Sequence, residues 1–262
     1  MVAPPRWMCL LAFGLLVLDL AIALPANAQD YPNQTLKIVV PFVAGGGVDV
    51  VARIIAPNLS EELGQPVIIE NRGGAGGMIG AAAVAQAPPD GYTLLVGTGS
   101  INHLGAELFN SVAKIEANHV PYRGSAPALT DLMAGRLHYM FDGVSTSLGY
   151  LQAGTIRALG VAGAHRSPVL PDQPTISEAG LPGYDTMVWF GLFAPAGTPK
   201  SIILRVNSAT NAVLASPRIK EALEKLGIDP VGGSPGVLAS KVQSELQKWA
   251  AVVREKNIRL DQ

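Results

Sequence analysis

Two successive segments of this chain follow the same order: a short apolar strand, a glycine-rich loop and a helix. The first contains the strand Leu36–Phe42, the loop Gly45–Gly47 and a helix predicted over Asp49–Leu63, where apolar residues recur at helical spacing. The second contains the strand Val67–Asn71, the glycine-rich stretch Gly73–Gly80 and an alanine-rich helix. Strands that alternate with helices in this way predict an α/β fold with a parallel sheet.

The rest of the chain adds strand candidates and a helical C-terminal third. Further strands are predicted at Tyr92–Val96, Ala117–Tyr122, Leu137–Phe141 and Ile156–Ala162, and a helix at Ala126–Ala134. The aromatic-apolar run Trp189–Phe193 is typical of a core or hinge strand. Helix starts are marked by a hydroxyl residue followed by proline, at Thr198-Pro199, Ser216-Pro217 and Ser234-Pro235.

Residues 1–28 have the order of a secretory signal peptide: a positive residue, an apolar run, and small residues at both recognition positions of Ala26-Asn27-Ala28. A membrane anchor is disfavoured because Asp19, inside the apolar run, would be costly at mid-bilayer. The lone cysteine, Cys9, lies in this segment, so the mature chain would contain no disulfide. We expect cleavage after Ala28 and a periplasmic location.

Composition and motifs argue against several function classes. A formal net charge of -1 leaves no basic surface for nucleic acid. The histidines show no i, i+4 pairing and no cysteine partners, so we predict no metal site; they are His103, His119, His138 and His165. No Gly-x-Ser-x-Gly elbow occurs, and we predict no catalytic residues and no cofactor. An envelope hydrolase is the enzymatic alternative.

The two glycine loops are the candidate ligand site. Each lies between a strand and a helix N-terminus, where backbone N–H groups and the helix dipole attract an anion. No Gly-Lys-Ser/Thr follows Gly45–Gly47, and Ile79 breaks a dinucleotide fingerprint in the second loop. Either loop alone is equally well a tight turn. Two such loops at the same ends of adjacent strands favour a shared crevice.

The candidate ligand-binding residues are Phe42, Ala44, Gly45, Gly46, Gly47, Asp49, Gly74, Ala75, Gly76, Gly77, Thr98, Ser100 and Asp142. Backbone N–H groups of 44–47 and 74–77 would bind a carboxylate, with Thr98 and Ser100 lining the cleft. A positive φ is expected at Gly46 and Gly76, which a β-branched residue would forbid. Asp49 would act as a local cap on the first helical turn. Asp142 could either cap the next turn or point into the cleft. The nearby cation Arg72 is expected at the surface.

Many motifs of this chain, from about Tyr31 to the C-terminus, resemble the solute-binding proteins of tripartite tricarboxylate transporters, also called the Bug family. These motifs, in family order, are Val40–Asp49, Glu70–Gly77, Pro88–Tyr92, His119–Gly124, Pro127–Leu132, Phe141-Asp142, Leu170–Thr175, Glu178–Tyr184, Trp189–Pro199 and Val231–Gly233. The resemblance implies a periplasmic-binding-protein-like fold in which two α/β lobes close on a small organic carboxylate. It also implies delivery of the ligand to a membrane permease, without catalysis.

The resemblance divides the mature chain into two lobes. Residues 29–100 and 220–262 would form lobe 1, and residues 101–219 would form lobe 2. The C-terminal helix from Pro235 would then pack on lobe 1, and the receptor is expected to be a monomer.

The chain departs from the family at one point. In the family, a block of strands and helices separates the strand matching Tyr92–Val96 from a Gly-x-Gly-Ser-x-x-His-Leu motif, whereas here the two are contiguous through Gly97–Leu104. A block of ~30 residues or more, at least one strand–helix–strand unit, is therefore expected to be missing after about Val96. Since that block belongs to the crossover between the lobes, the second-lobe crossover would be incomplete. A vestigial receptor without binding activity is the alternative function.

Overall fold

The computed structural model describes residues 31–98 and 102–255. The predictions for the signal peptide, for its cleavage after Ala28 and for Ser100 lie outside these residues. From Gln34 onward the chain clusters as one compact unit. The division into lobes at 29–100 with 220–262 and at 101–219 stays a prediction.

Four strands form one sheet in the order β2-β1-β3-β4. They are β1 Leu36–Val40, β2 Val67–Asn71, β3 Thr93–Thr98 and β4 Phe190–Phe193. β1 pairs in parallel with both β2 and β3, while β4 runs antiparallel to β3. The predicted parallel pairing of the first two strands is confirmed. Both glycine loops therefore leave the same edge of the sheet.

Helices surround this sheet. In chain order they are α1 Gly47–Leu63, α2 Met78–Ala85, α3 Asn102–Ala113, α4 Ser125–Met133, α5 Val144–Gln152, α6 Lys200–Ala215, α7 Pro217–Glu224 and α8 Pro235–Glu255, with a 3₁₀ turn at Ala75–Gly77. The mixed α/β class is confirmed. None of the helices in the described ranges is long and apolar enough to cross a membrane.

The core lies between the sheet and α1. Every residue of β1 except Lys37 is almost completely buried. Helix α1 contributes residues at helical spacing, with Ala52, Ile55 and Leu59 on its buried face. Helix α6 packs against α1, and α8 contacts α6 and α3. This packing holds the start of α1, and with it the first glycine loop, in a fixed position.

Three predicted strands are wrong. Residues 117–122 and 137–141 have no strand conformation, and within 156–162 only Val161 forms an isolated parallel bridge, to Thr175. A strand is stabilised by backbone hydrogen bonds to a neighbouring strand, and an apolar run without such a neighbour does not form one. The described residues provide no partner strand at these positions.

The predicted helix starts are correct to within one residue. Ser216 precedes α7, which begins with Pro217, and α8 begins at Pro235. Helix α6 begins one residue later than predicted, after Pro199, because the Thr198 hydroxyl donates to the Pro195 carbonyl at 2.8 Å instead of capping the helix. Proline marks these starts because its missing N–H is not needed in the first turn.

Candidate functional site

A buried carboxylate holds the first glycine loop. Asp49, in the first turn of α1, is only 2% exposed. Its Oδ2 accepts hydrogen bonds from the Gly45 backbone N–H at 2.9 Å and from Arg53 Nε at 2.8 Å. Asp49 acts locally, as predicted, but it binds the loop amide rather than the N–H groups that open the helix. The Gly45 N–H is therefore engaged within the protein.

The environment of Asp49 keeps it ionised. Burial alone would raise its pKa, but hydrogen bonds from Arg53, Gly45 and Asn71 outweigh that effect, so the pKa of the Asp49 carboxyl lies below its ordinary value. The same contact raises the pKa of the Arg53 guanidinium. The carboxylate is therefore ionised near neutral pH, where it holds the loop through these hydrogen bonds.

Asn71 connects the two glycine loops, a role that the sequence analysis missed. Its Nδ2 donates to Asp49 Oδ1 at 2.9 Å and lies 3.1 Å from the Phe42 carbonyl oxygen. Arg53 Nη2 donates to its Oδ1 at 3.2 Å. The available signal was an amide side chain at the carboxyl end of β2, directly before the second glycine-rich stretch.

The second glycine loop is a tight, left-handed turn. Backbone φ is positive at four consecutive residues: Gly74, Ala75, Gly76 and Gly77. The Gly77 N–H donates to the Gly74 carbonyl at 3.0 Å, so this amide is also engaged. Just beyond, a Cβ on Gly80 would lie 2.8 Å from the Arg72 carbonyl oxygen and from Pro41 Cα. Some glycines of the second loop are therefore needed for a tight turn and for close packing, which is the alternative to ligand binding that the sequence left open.

Arg72 is a surface residue, as predicted. Its side chain is 46% exposed and its Nε forms an ion pair with Glu70, which Lys37 also contacts at 2.7 Å. The hydrogen bonds from Lys37 and Arg72 hold the pKa of the Glu70 carboxyl below its ordinary value. Arg72 is engaged at the end of β2 and does not line the cavity described next.

A cavity of about 940 Å³ opens beside the first glycine loop. Of the predicted site residues, its lining contains Phe42, Gly46, Gly47, Gly76, Thr98 and Asp142. The remaining described candidates are absent from the lining: Ala44, Gly45, Asp49, Gly74, Ala75 and Gly77. Each predicted loop therefore contributes some of its residues to the cavity lining, while its other residues do not line the cavity.

Three helices begin at this cavity. Its lining includes residues at the starts of α1, α4 and α5, namely Gly47, Ser125 and Ser145. The starts of α1 and α5 are close neighbours, because a Cβ on Gly47 would lie 3.1 Å from Ser145 Oγ. The N–H groups of a first helical turn have no intrahelical acceptor and carry partial positive charge. In this wall of the cavity, the start of α1 therefore attracts anions, whereas the starts of α4 and α5 also carry the Asp142 carboxylate, which offsets their partial positive charge.

Thr98, at the end of β3, adds a polar group to this wall. Its hydroxyl oxygen is buried and has no hydrogen-bond partner within residues 31–98 and 102–255. Buried hydroxyls are normally hydrogen-bonded. Thr98 is also one of the residues that line the cavity.

Asp142 lies in the cavity lining, one of the two alternative positions predicted for it, and it does not cap the helix that follows. It accepts hydrogen bonds from the hydroxyls of Ser125, at 2.5 Å, and of Thr146 and Ser147, at 2.5 and 2.6 Å. The carboxylate thus joins the start of α4 to the first turn of α5. Its partners are side-chain hydroxyls rather than the backbone N–H groups of a standard cap.

A second part of the cavity lining, called the far wall below, was not identified from the sequence. It comprises one face of α3 and the segments 115–122 and 136–141, including His103, Asn110, His119 and Tyr139. His103 lies in the first turn of α3, as predicted, and its ring stacks on that of His119 at 3.7 Å. In the part of the chain that the structure describes, no three His, Cys, Asp or Glu side chains are grouped to hold a metal ion.

Two stretches of the chain, residues 51–99 and 95–258, match the family described as the Tripartite tricarboxylate transporter family receptor. The chain belongs to this family. The resemblance noted in the sequence is thereby confirmed, and the fold is that of its periplasmic binding proteins.

Individual relatives agree with this assignment. The UPF0065 protein in the tcbD-tcbE intergenic region of Pseudomonas sp. strain P51 is 36% identical, over 88% of this chain and 89% of its own length. R. palustris Rpa4515, solved with adipate, is 34% identical with a TM-score of 0.84, covering 87% of this chain and 99% of that one. MatC from Rhodopseudomonas palustris, solved with bound malate, is 32% identical with a TM-score of 0.82, covering 85% and 100%.

Proposed function

We propose that this protein is a periplasmic receptor that binds a small organic carboxylate in the cavity and delivers it to the membrane permease of a tripartite tricarboxylate transporter. The family is one of solute-binding receptors. Adipate and malate in two neighbours of the same fold support a carboxylate ligand. The observation that carries the proposal is the start of α1 at the cavity, with the Thr98 hydroxyl, which has no hydrogen-bond partner among the described residues, in the same lining.

The ligand carboxylate binds at the start of α1. Of the amides first considered, those of Gly45 and Gly77 are engaged within the protein. Gly46, Gly47 and Gly76 line the cavity, and their N–H groups are the donors we assign to the ligand, together with the Thr98 hydroxyl. No lysine or arginine is needed, because a helix N-terminus and several amides stabilise an anion.

We retain the proposal that a block is missing after about Val96. The family match consists of two stretches that meet at residues 95–99. The alignment with the Pseudomonas relative spans 299 positions, more than the 262 residues of this chain, so it contains gaps opposite this chain. In family members that keep this block, we propose, the block provides partner strands for the segments that correspond to 117–122 and 137–141. These two segments lack such partners in this chain.

The remaining features follow from the receptor role. We propose that residues 1–28 are removed as a signal peptide after Ala28, that the mature receptor is a monomer, and that it catalyses no reaction. The family consists of periplasmic binding proteins, which supports export. The envelope-hydrolase alternative has no nucleophile–base pair in its favour.

Calorimetry of the purified mature protein with a panel of mono-, di- and tricarboxylates tests the binding proposal. Gly46→Val is the informative variant, because φ at Gly46 is -79° and the nearest atom to a Cβ there is 3.6 Å away, so the change adds bulk at the cavity without backbone strain. The positive φ expected at Gly46 is found instead at Gly45.

We expect Gly46→Val and Gly76→Val to weaken binding at least tenfold, since each lost charge-assisted hydrogen bond costs roughly 1.5–3 kcal/mol. Arg72→Ala is the control and should bind like the parent. Loss of binding in Arg72→Ala alone would instead point to a side-chain salt bridge. A parent that binds no carboxylate in the panel would support the vestigial-receptor alternative.

A further inference from the structure

We propose that the ligand carries a hydrogen-bond donor, either a hydroxyl or an ammonium group, on a carbon close to the bound carboxylate, and that Asp142 selects it. This inference rests on the proposed function, because it specifies a subclass of carboxylates for the same cavity. Hydroxy and amino carboxylates are then preferred over plain dicarboxylates.

The first step concerns the hydrogens of the Asp142 cluster, defined as Asp142 with Ser125, Thr146 and Ser147. A serine or threonine hydroxyl has one hydrogen to donate, and a carboxylate only accepts. Each of the three hydroxyl oxygens lies 2.5 or 2.6 Å from an Asp142 oxygen. Ser125 and Ser147 direct their hydrogens at that carboxylate, and Thr146 shares its hydrogen between Asp142 and the Gly143 carbonyl oxygen, which lies at 2.8 Å. Only oxygen lone pairs remain for a ligand.

The second step concerns charge. Among the described residues, no lysine or arginine lies within ion-pair distance of Asp142. The arginine in the cavity lining, Arg136, is engaged by Asp131 at 2.6 Å. The Asp142 cluster therefore carries a negative charge and offers only acceptors, whereas the neighbouring Ser145 hydroxyl, which also lines the cavity, can donate. A ligand carboxylate placed beside the cluster is repelled, whereas a hydroxyl or ammonium group is bound.

The third step concerns position. A Cβ on Gly47 would lie 3.1 Å from Ser145 Oγ and 4.0 Å from Thr146 Cγ2. The amides at the start of α1 and the Asp142 cluster thus share one corner of the cavity. A carboxylate bound by the amides places its own C2 or C3 substituent next to the cluster.

Succinate, L-malate and L-aspartate form a matched set for the test. All three have the same four-carbon skeleton with two carboxylates, and they differ in the C2 substituent: hydrogen, hydroxyl or ammonium. We expect calorimetry of the mature parent protein to give at least tenfold tighter binding of malate, aspartate or both than of succinate, the effect of one charge-assisted hydrogen bond. This comparison needs no variant and so does not depend on a variant's folding.

The variant Asp142→Asn then tests whether Asp142 is the residue that causes the preference for malate or aspartate over succinate. The amide retains the shape but loses the charge, so the preference over succinate should fall to threefold or less. Asp172→Asn, which removes an exposed carboxylate elsewhere, is the control and should keep the parent preference.

The outcomes separate the two proposals. Succinate binding as tightly as malate and aspartate overturns this inference and leaves the carboxylate receptor standing. Absence of binding by any carboxylate overturns both. A donor preference that survives Asp142→Asn overturns the role of Asp142.

Discussion

The side-chain amide of Asn71 donates to the carboxylate of Asp49 at 2.9 Å, so the last residue of β2 is tied to the first turn of α1. The same nitrogen lies 3.1 Å from the carbonyl oxygen of Phe42, in the loop between β1 and α1. Through these contacts the sheet edge and the helix start hold the loop residues Gly46 and Gly47 at the cavity.

Replacing Asp49 by Ala should destabilise the fold. The change leaves the Gly45 N–H, the Asn71 amide and the Arg53 guanidinium without their common acceptor. We expect the free energy of unfolding, measured by urea titration, to fall by about 3 kcal/mol. Asp172→Ala, at an exposed position, should change it by less than about 0.5 kcal/mol. Equal stability of the two variants would contradict the role of Asp49 as a brace.

The contribution of Asp49 should disappear in acid. Because its pKa is lowered in the folded protein, the ionised carboxylate stabilises the fold above the unfolded-state pKa of about 3.9, and this contribution is lost as pH falls through the folded value. We expect the stability difference between the parent and Asp49→Asn to be largest near neutral pH and to shrink below about pH 4. A difference that stays constant from pH 7 to pH 3 would argue against an ionised Asp49.

Local patterns predicted the first half of the sheet well. The strands β1 and β2 and the helix α1 lie within two residues of their predicted bounds, because each is encoded by its own apolar run or helical periodicity. The contact between Asp49 and Asn71 spans 22 positions and could not be read from either segment alone.

The predictions that were wrong concern features that depend on distant parts of the chain. Apolar runs such as 117–122 and 137–141 satisfy the local pattern of a strand, but they form one only beside a partner strand. The predicted positive φ of Gly46 also failed, because φ at a glycine depends on how the whole loop closes on Asp49. By contrast, the glycines did mark the loops that reach the cavity.

Gly80→Ala and Gly149→Ala should have opposite effects on stability. Both residues lie in helices, where alanine is normally favoured by roughly 0.5–1 kcal/mol. A Cβ at Gly80 would meet backbone atoms of Arg72 and Pro41 at 2.8 Å, whereas at Gly149 it would meet nothing within 4 Å. We expect Gly80→Ala to lower the free energy of unfolding by about 1–3 kcal/mol and Gly149→Ala to raise it slightly. Denaturant titration of the two variants measures this, and a stabilising Gly80→Ala would refute the close packing of α2 on β1.

Tyr184 should be the last tyrosine to ionise. It is only 3% exposed, its hydroxyl donates to the Gly105 carbonyl at 2.8 Å, and burial raises its pKa to about 12. Since the folded value exceeds the unfolded value of about 10, its contribution to stability is complete below pH 10 and is lost as pH rises towards 12. Absorbance titration should show a final tyrosinate step near pH 12 that is missing in Tyr184→Phe. A parent curve that matches the variant curve would contradict the burial of this hydroxyl.

Hydrogen exchange should distinguish the paired sheet from the unpaired segments. The amides of β1 lie between two parallel neighbours, whereas none of the backbone N–H groups of residues 117–122 or 137–141 donates to a described backbone carbonyl. We therefore expect exchange by mass spectrometry to be slow in Leu36–Val40 and faster by orders of magnitude in the two segments, because amides without acceptors exchange without unfolding. Equal protection of all three stretches would mean that the segments are hydrogen-bonded strands. The far wall of the cavity would then contain paired strands, and the proposal that these segments lack partners because a block is missing after Val96 would be wrong.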